Sequence, residues 1–194
     1  MKKVGKLEVI TGPMKSEKSL ELILRAHQLE EEGYQYIAFS PVQDKIISRA
    51  TEEAIAAVLI ERDHPELISY YVGFVLGRYH QLHTVLIDEV QFYEKGIVKT
   101  VQSLLSNGIN VVAAGLDQTY TMQPFGETGA LLCLAHTIKK KKATCSVCGE
   151  EASRSQRLLN GQPAPMDAPI IIIEGSSKDY TYEPRCDSCF QEGS

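Results

Sequence analysis

The segment that most constrains the fold lies near the start of the chain, where an apolar run, a short loop and a helix-forming stretch follow one another. Residues 6–11 (KLEVIT) are apolar and β-branched like a buried strand, and apolar residues from 20 to 29 recur at helical spacing. Between them, GPMKSEKS has the first glycine, the lysine and the serine of a phosphate-binding P-loop, G-x-x-x-x-G-K-[ST]. Glu17 stands where the second glycine is expected, so the segment predicts a phosphate site with one anomalous position.

Further apolar segments alternate with helix-forming segments along the first three quarters of the chain. The predicted strands cover 6–10, 36–40, 56–60, 84–88 and 110–115, and the predicted helices cover about 18–32, 65–82 and 94–107. Short apolar strands separated by helices are typical of a parallel sheet that is covered on both faces. The predicted fold class is therefore α/β.

The cysteines predict a structural metal site. Two C-x-x-C pairs, Cys145 with Cys148 and Cys186 with Cys189, supply four thiolates, whereas Cys133 stands alone. Four cysteines in two such pairs are typical of a tetrahedral Zn²⁺ site, and four protein ligands leave no position open for a catalytic water. A redox motif needs only one pair, and disulfides are disfavoured in the cytoplasm. Cys133 is expected to be a small buried apolar residue.

Composition and charge exclude some function classes. The formal net charge is −5, which argues against a surface built for nucleic acid, and the basic run at 139–142 is expected to be a solvated strand or linker. No apolar run reaches the about 20 residues of a membrane span, so we expect a soluble cytoplasmic protein without membrane contact. Two domains are predicted: a P-loop α/β domain at 1–142 and a small zinc-binding domain with a long loop at 143–194.

A second acidic motif completes the predicted nucleotide site. In TVLIDEVQFY, four apolar residues run directly into Asp88 and Glu89. An aspartate at the carboxyl end of a buried strand can hold Mg²⁺ beside a P-loop, opposite the hydroxyl of Ser19. The order of the two motifs, each preceded by a strand, predicts nucleotide binding.

Taken together, the motifs resemble those of the type II, zinc-containing thymidine kinases. The resemblance is carried by GPM with KS, IDEVQFY, AGLDQTYTMQPFG, CSVCGEEASRSQR and YEPRCDSC, which are distributed over most of the chain. It implies a P-loop α/β fold with a zinc domain whose loop closes over the nucleoside as a lasso. It also implies ATP-dependent phosphorylation of thymidine, with Mg²⁺ and structural Zn²⁺, and a homotetramer.

The resemblance also assigns roles to individual residues. Lys18 would bridge the β- and γ-phosphates, and Glu89 would be the catalytic base that accepts the 5′-hydroxyl proton. The cofactor-binding set is Gly12, Pro13, Met14, Lys15, Ser16, Glu17, Lys18, Ser19, Asp88 and Gln91, of which Gln91 is expected to orient nearby backbone. The substrate-binding set is Phe92 stacked on the thymine ring, Met14, Leu116 and Tyr120 around its methyl group, and Ser155, Arg157 and Tyr182 in the lasso. For Phe92 and Leu116 the alternative is core packing.

Two positions depart from the family pattern. Compared with glycine, Glu17 adds a Cβ atom, which destabilises the loop by about 1 to 2 kcal/mol if φ is positive. It also adds a negative charge that would repel a bound triphosphate, although an ion pair with Lys15 would reduce this repulsion. Ile46 stands at an arginine position in a loop that looks shortened, where Asp44 is kept. Arg49 is a candidate substitute for this arginine, although it better resembles the SR that follows later in the family pattern. Two functions therefore stay open: an active but slow kinase, or a kinase-derived protein that binds nucleoside or nucleotide without efficient phosphoryl transfer.

Overall fold

The computed structural model describes residues 4–79, 81–171 and 180–193. The β-strands of these residues are β1 (Leu7–Thr11), β2 (Tyr36–Ser40), β3 (Lys45–Ile47), β4 (Ala54–Ala56), β5 (Val58–Leu59), β6 (Thr84–Ile87), β7 (Asn110–Gly115), β8 (Thr137–Lys140), β9 (Ala143–Thr144), β10 (Glu151–Ala152), β11 (Arg154–Leu159), β12 (Gln162–Pro163) and β13 (Tyr180–Arg185). The α-helices are α1 (Lys18–Glu31), α2 (Glu66–Tyr79), α3 (Ile97–Ser106) and α4 (Thr128–Leu134), and a short 3₁₀ turn covers Val90–Phe92. No helix within these ranges is long and apolar enough to cross a membrane.

The larger sheet has six strands in the order β5-β2-β6-β7-β1-β8, and every neighbouring pair is parallel. Its central strands are apolar on both faces because helices cover both sides, which confirms the predicted α/β class. Val85 and Ile87 of β6 pack in a core with α2, α3 and α4, whereas Leu86 packs on the other face with α1. The carboxyl ends of β1 and β6 consequently lie at the same edge of the sheet, where ligands of open α/β sheets bind.

The segment at 56–60 does not form the single strand that the sequence predicts. It is divided because the Ala57 N–H donates to the Asp44 carbonyl oxygen, so β4 pairs with β3 as an antiparallel hairpin and β5 joins the sheet edge beside β2. Ile46 lies in β3 and is fully buried against Ile55 and α1. The shortened loop expected around Ile46 is therefore a packed hairpin, and that position serves the core.

Further differences from the sequence prediction concern one helix start, two elements and one cysteine. The helix predicted at 94–107 begins only at Ile97, after Gly96 with a φ of 125°. The sequence interpretation missed α4 and did not include β8, which contains the first half of the basic run, in the sheet. Cys133 in α4 is exposed, so the prediction of a buried cysteine was wrong.

Small antiparallel sheets follow the parallel sheet along the chain. β9 pairs with β10, and β11 lies between β12 and β13. β11 and β13 pair along six residues each, from Arg154 opposite Arg185 to Leu159 opposite Tyr180. The two C-x-x-C pairs flank this ladder in the sequence, one before β10 and one after β13.

Candidate functional site

The loop after β1 curls tightly over the start of α1. Gly12 has a φ of 145°, and a Cβ atom there would lie 2.4 Å from the Lys141 carbonyl oxygen and 2.9 Å from Ser16 Oγ. Lys15 and Glu17 both have left-handed backbone conformations, with φ of 61° and 59°. This is the conformation in which a Cβ atom costs about 1 to 2 kcal/mol, so the loop keeps the strained geometry that glycine normally fills.

The side chains of Lys15 and Glu17 are exposed, and neither takes part in an ion pair within the described ranges. The pairing that the sequence suggested between them is therefore not observed. Glu17 precedes α1 but makes no capping hydrogen bond with its side chain. Its side chain is exposed to solvent.

The amine of Lys18 lies against the loop. Its Nζ donates to the Pro13 carbonyl oxygen at 2.7 Å and to Ser16 Oγ at 3.4 Å. Burial lowers the pKa of Lys18, while the nearby charges of Glu89 and Asp88 act in the opposite direction. The lysine is thus a desolvated cation at the mouth of the loop, which is the arrangement that favours an anion.

Asp88 and Ser19 come together as predicted for a metal-binding pair. Ser19 Oγ donates to Asp88 Oδ2 at 3.0 Å, although the two residues come from α1 and the end of β6. Burial, followed by the charge of Glu89, raises the pKa of Asp88 to about 7. A carboxylate and a hydroxyl placed side by side are oxygen ligands that suit Mg²⁺, and a cation there would relieve the repulsion between the two carboxylates.

Glu89 starts the 3₁₀ turn in a left-handed conformation, with a φ of 50°. Its Oε2 accepts a hydrogen bond from Gln91 Nε2 at 2.5 Å, and Gln91 Oε1 accepts from the Leu116 N–H at 3.0 Å. Gln91 is only 2% exposed, so it lies behind Glu89 and not on the open surface of the site. The expectation that Gln91 orients nearby backbone agrees with this contact.

Three of the residues predicted to surround the thymine ring, Phe92, Met14 and Leu116, are half-buried, whereas the fourth, Tyr120, is buried. Phe92 packs edge-to-face on Phe125, with ring centroids 5.6 Å apart, and the Arg62 guanidinium lies 5.3 Å from the Phe92 ring centroid. Met14 and Leu116 are half-buried as well. Partial exposure leaves their apolar surfaces available to a flat ring, whereas full core packing would have hidden them. Arg62 was missed because no local motif marks it.

Arg157 lies in the lasso, which is the segment between the two cysteine pairs (149–185), and it is 0% exposed. Its guanidinium donates to the carbonyl oxygens of Pro169 and Ile170 and to the Tyr182 hydroxyl. The Tyr120 ring lies 3.9 Å from the guanidinium carbon, and the Tyr120 hydroxyl donates to the carbonyl oxygens of Pro165 and Ala168. Tyr120 is thus used to hold the lasso in place, and in this structure its ring faces Arg157.

A direct hydrogen bond joins the lasso region to the P-loop. The Met14 N–H donates to Ser155 Oγ at 3.0 Å, although 141 residues separate the two positions. Ser155 lies on β11 only two positions before Arg157 and is buried. The structure therefore connects Ser155 to the P-loop, and it joins Arg157 to Tyr182 on the neighbouring strand.

Replacing Arg157 by methionine is expected to lower the melting temperature by about 5 °C or more, because three acceptors lose the hydrogen bonds that the buried guanidinium donates. Residues 160–171 should also become more sensitive to limited proteolysis. Thermal denaturation and mass spectrometry of the fragments measure both effects. Arg49→Met is the matched control, since Arg49 is exposed and has no ion pair in the described part of the chain. Equal melting temperatures for the two variants would contradict the anchoring role.

The four predicted zinc ligands converge. The sulfur atoms of Cys145, Cys148, Cys186 and Cys189 all lie within 4.8 Å of one another, and the Cys148 and Cys186 sulfurs are 3.6 Å apart. Zn–S bonds of about 2.3 Å in a tetrahedron place sulfurs about 3.8 Å apart, so the cluster fits Zn²⁺.

The protonation of these thiols supports the same interpretation. Desolvation opposes ionisation of Cys145, but backbone N–H groups of Cys148, Cys186 and Val147 outweigh it and lower its pKa to about 6. The neighbouring sulfurs of Cys186 and Cys148 raise the pKa of Cys189 to about 12. Four thiolates this close together repel one another. A bound cation would offset this repulsion and allow all four cysteines to be deprotonated.

Comparison with known protein families gives a match over nearly the whole chain. The family model described as thymidine kinase matches residues 5–190. The matched span begins just before β1 and ends just after Cys189, so it includes the P-loop, the acidic pair and the four cysteines.

Proposed function

The chain belongs to the thymidine kinase family, and from this premise we propose that it transfers the γ-phosphoryl group of ATP to the 5′-hydroxyl of thymidine. Membership of the family supports nucleoside phosphorylation in general. The observation that carries the finer proposal is the meeting of Lys18, the Ser19–Asp88 pair and Glu89 at the carboxyl edge of the parallel sheet. These groups supply what phosphoryl transfer requires: charge stabilisation, a metal site and a base.

In the proposed reaction the 5′-oxygen of the nucleoside forms a bond to the γ-phosphorus. The bond from that phosphorus to the β,γ-bridging oxygen breaks, ADP keeps the electron pair, and the hydroxyl proton passes to Glu89. Lys18 would neutralise charge on the phosphates, while the half-buried Phe92 would hold the base ring. Mg²⁺, when bound by Asp88 and Ser19, supplies further neutralisation of phosphate charge.

The second candidate is a binding protein with little transfer activity, and two observations favour it. Glu17 places a carboxylate beside the loop, and Ile46 is a core residue where the family pattern has an arginine. If the protein had lost its phosphate site, we would expect an ion pair between Glu17 and Lys15 to fill that site. Both side chains are exposed and form no ion pair within the described ranges, which weighs against this candidate. The two candidates differ in turnover.

The experiment that tests the proposed function follows thymidine monophosphate and ADP from purified protein with thymidine and Mg-ATP. We expect the two products in equal amounts, and none from Lys18→Met. Nucleoside or nucleotide binding without product would favour the binding protein. The absence of both binding and product at millimolar ligand would refute both candidates.

Glu17→Gly is expected to tighten Mg-ATP binding about tenfold, because the change removes a negative charge beside the phosphates and a Cβ atom from a left-handed residue. Isothermal titration measures the dissociation constant. Lys15→Gly is the matched control, since Lys15 is also exposed and left-handed but carries the opposite charge. If both glycine variants tighten binding equally, backbone strain is the cause and charge is not. No gain for Glu17→Gly would show that Glu17 does not impair the loop.

We further infer a resident Zn²⁺ on the four cysteines and a division of the chain at 142/143 into a P-loop domain and a zinc domain. The change from a parallel sheet to small antiparallel sheets at this boundary supports the division. From the family resemblance we also propose a cytoplasmic homotetramer that binds no nucleic acid, and the formal charge of −5 supports the last part.

A further inference from the structure

Gln91 lies directly behind Glu89, and we propose that it is the positioning residue that holds the Glu89 carboxylate ready to accept the hydroxyl proton. The inference rests on the proposed function, because it assigns a supporting residue to the base of that reaction. It starts from the finding that Gln91 is buried and is bonded at both ends of its side-chain amide.

The orientation of the Gln91 amide is determined by its surroundings. The backbone N–H of Leu116 can only donate, so the atom that meets it at 3.0 Å must be the carbonyl oxygen of Gln91. The NH₂ group then necessarily faces Glu89, where it donates to Oε2 at 2.5 Å. One carboxylate oxygen is therefore occupied, while Oε1 of Glu89 accepts no hydrogen bond from the described residues and stays available to a substrate hydroxyl.

Two glycines make room for this arrangement. A Cβ atom on Gly115 would lie 2.4 Å from Gln91 Oε1, and one on Gly126 would lie 2.5 Å from the Gln91 carbonyl oxygen. Both distances are well below van der Waals contact, so a side chain at either position would displace Gln91. Gly115 is the last residue of β7, which connects the position of the amide to the rigid parallel sheet.

Glu89 has a physical need for such a support. It follows Asp88 directly, so two carboxylates are neighbours in the chain, and like charges repel each other. This repulsion favours rotation of the Glu89 side chain away from Asp88. The hydrogen bond from Gln91 opposes this rotation, and small displacements of a base lower the reaction rate steeply.

The first test is a double-mutant cycle on turnover. Gln91→Met keeps the size of the side chain but removes both hydrogen bonds, and it is expected to lower kcat about tenfold with KM for thymidine changed less than threefold. In a protein that already carries Glu89→Gln, the same change is expected to add less than a twofold loss. A role in folding alone would give independent, multiplicative losses, and that result would overturn the proposal.

The second test displaces Gln91 without changing it. Gly115→Ala is expected to lower kcat to about the level of Gln91→Met, because the added methyl group occupies the place of Oε1. Gly73→Ala is the matched control, since Gly73 lies on α2 and a methyl group added there would have no neighbouring atom within 4 Å. A Gly115→Ala enzyme with unchanged kcat would overturn the proposal.

A third measurement does not depend on turnover. In the nuclear magnetic resonance spectrum of the wild type, the side-chain amide protons of Gln91 are expected to be shifted and protected from exchange, and Gly115→Ala should remove both effects. A Gln91 amide that exchanges freely in the wild type would overturn the inference, whatever the activity. Protected amide protons in a protein that makes no monophosphate would instead refute the proposed function and leave the Gln91–Glu89 contact established.

Discussion

Replacing Glu89 by glutamine is expected to lower kcat for thymidine phosphorylation by about 100-fold or more, while thymidine binds almost as tightly as before. Loss of a general base typically costs about 10²- to 10⁴-fold in rate, and the amide keeps the size of the side chain without being able to accept the proton. The structure places Glu89 next to Asp88 and half-buried, where it can meet a hydroxyl group. Initial-rate kinetics and thymidine titration separate the two effects.

Glu53→Gln is the matched control for this variant, since Glu53 is exposed between β3 and β4. Its kcat should stay within twofold of the wild-type value. If Glu89→Gln retained wild-type turnover, the base would be another group. If it lost thymidine binding as strongly as turnover, Glu89 would act mainly as a binding contact.

Replacing Cys145 by serine is expected to release the zinc ion and to lower the melting temperature by about 10 °C or more. Binding of structural zinc contributes directly to folding, and each lost kcal/mol lowers the melting temperature of a chain of this size by about 2 to 4 °C. Because Ser155 and Arg157 lie on β11 between the two cysteine pairs, loss of the metal should also weaken thymidine binding. Elemental analysis, which should find about one zinc ion per wild-type chain, and thermal denaturation measure the first two effects.

Cys133→Ser provides the control, because Cys133 is exposed in α4 and lies outside the cluster. It should keep both the metal and the melting temperature of the wild type. A Cys145→Ser protein that melts like the wild type would show that the cluster does not stabilise the fold. A wild-type protein purified without zinc, and insensitive to added zinc, would contradict the assignment of the site.

The central fold was predictable because its signals are local. The strands β1, β2, β6 and β7 are largely apolar runs, since a parallel sheet covered on both faces buries most side chains of its inner strands. β8 lacks this signal because all of its residues are exposed at the sheet edge. The division of 56–60 depends on the hydrogen bond between Ala57 and Asp44, which a pattern of apolar residues does not contain.

In the site, too, the sequence indicated the local motifs but not the contacts between distant segments. The P-loop, the acidic pair and the cysteine pairs are short motifs, so the sequence indicated them directly, and the structure brings their members together. The contacts of Gln91 with Leu116 and Gly126, and of Arg157 with Tyr120, join distant segments and follow only from the folded chain. The sequence analysis assigned an energetic cost to Glu17 only if its φ is positive. The observed φ of 59° fulfils that condition.

The two outer strands of the parallel sheet are the positions at which a strand of another molecule could be added. An edge strand presents unpaired N–H and C=O groups that another chain can extend, which is a common start of aggregation. Here β5 is only two residues long, and Lys139 and Lys140 end β8, where they pair with Glu21 and Asp117. A strand approaching β8 from another molecule would have to desolvate these ion pairs. The basic run thus protects the sheet against intermolecular strand addition.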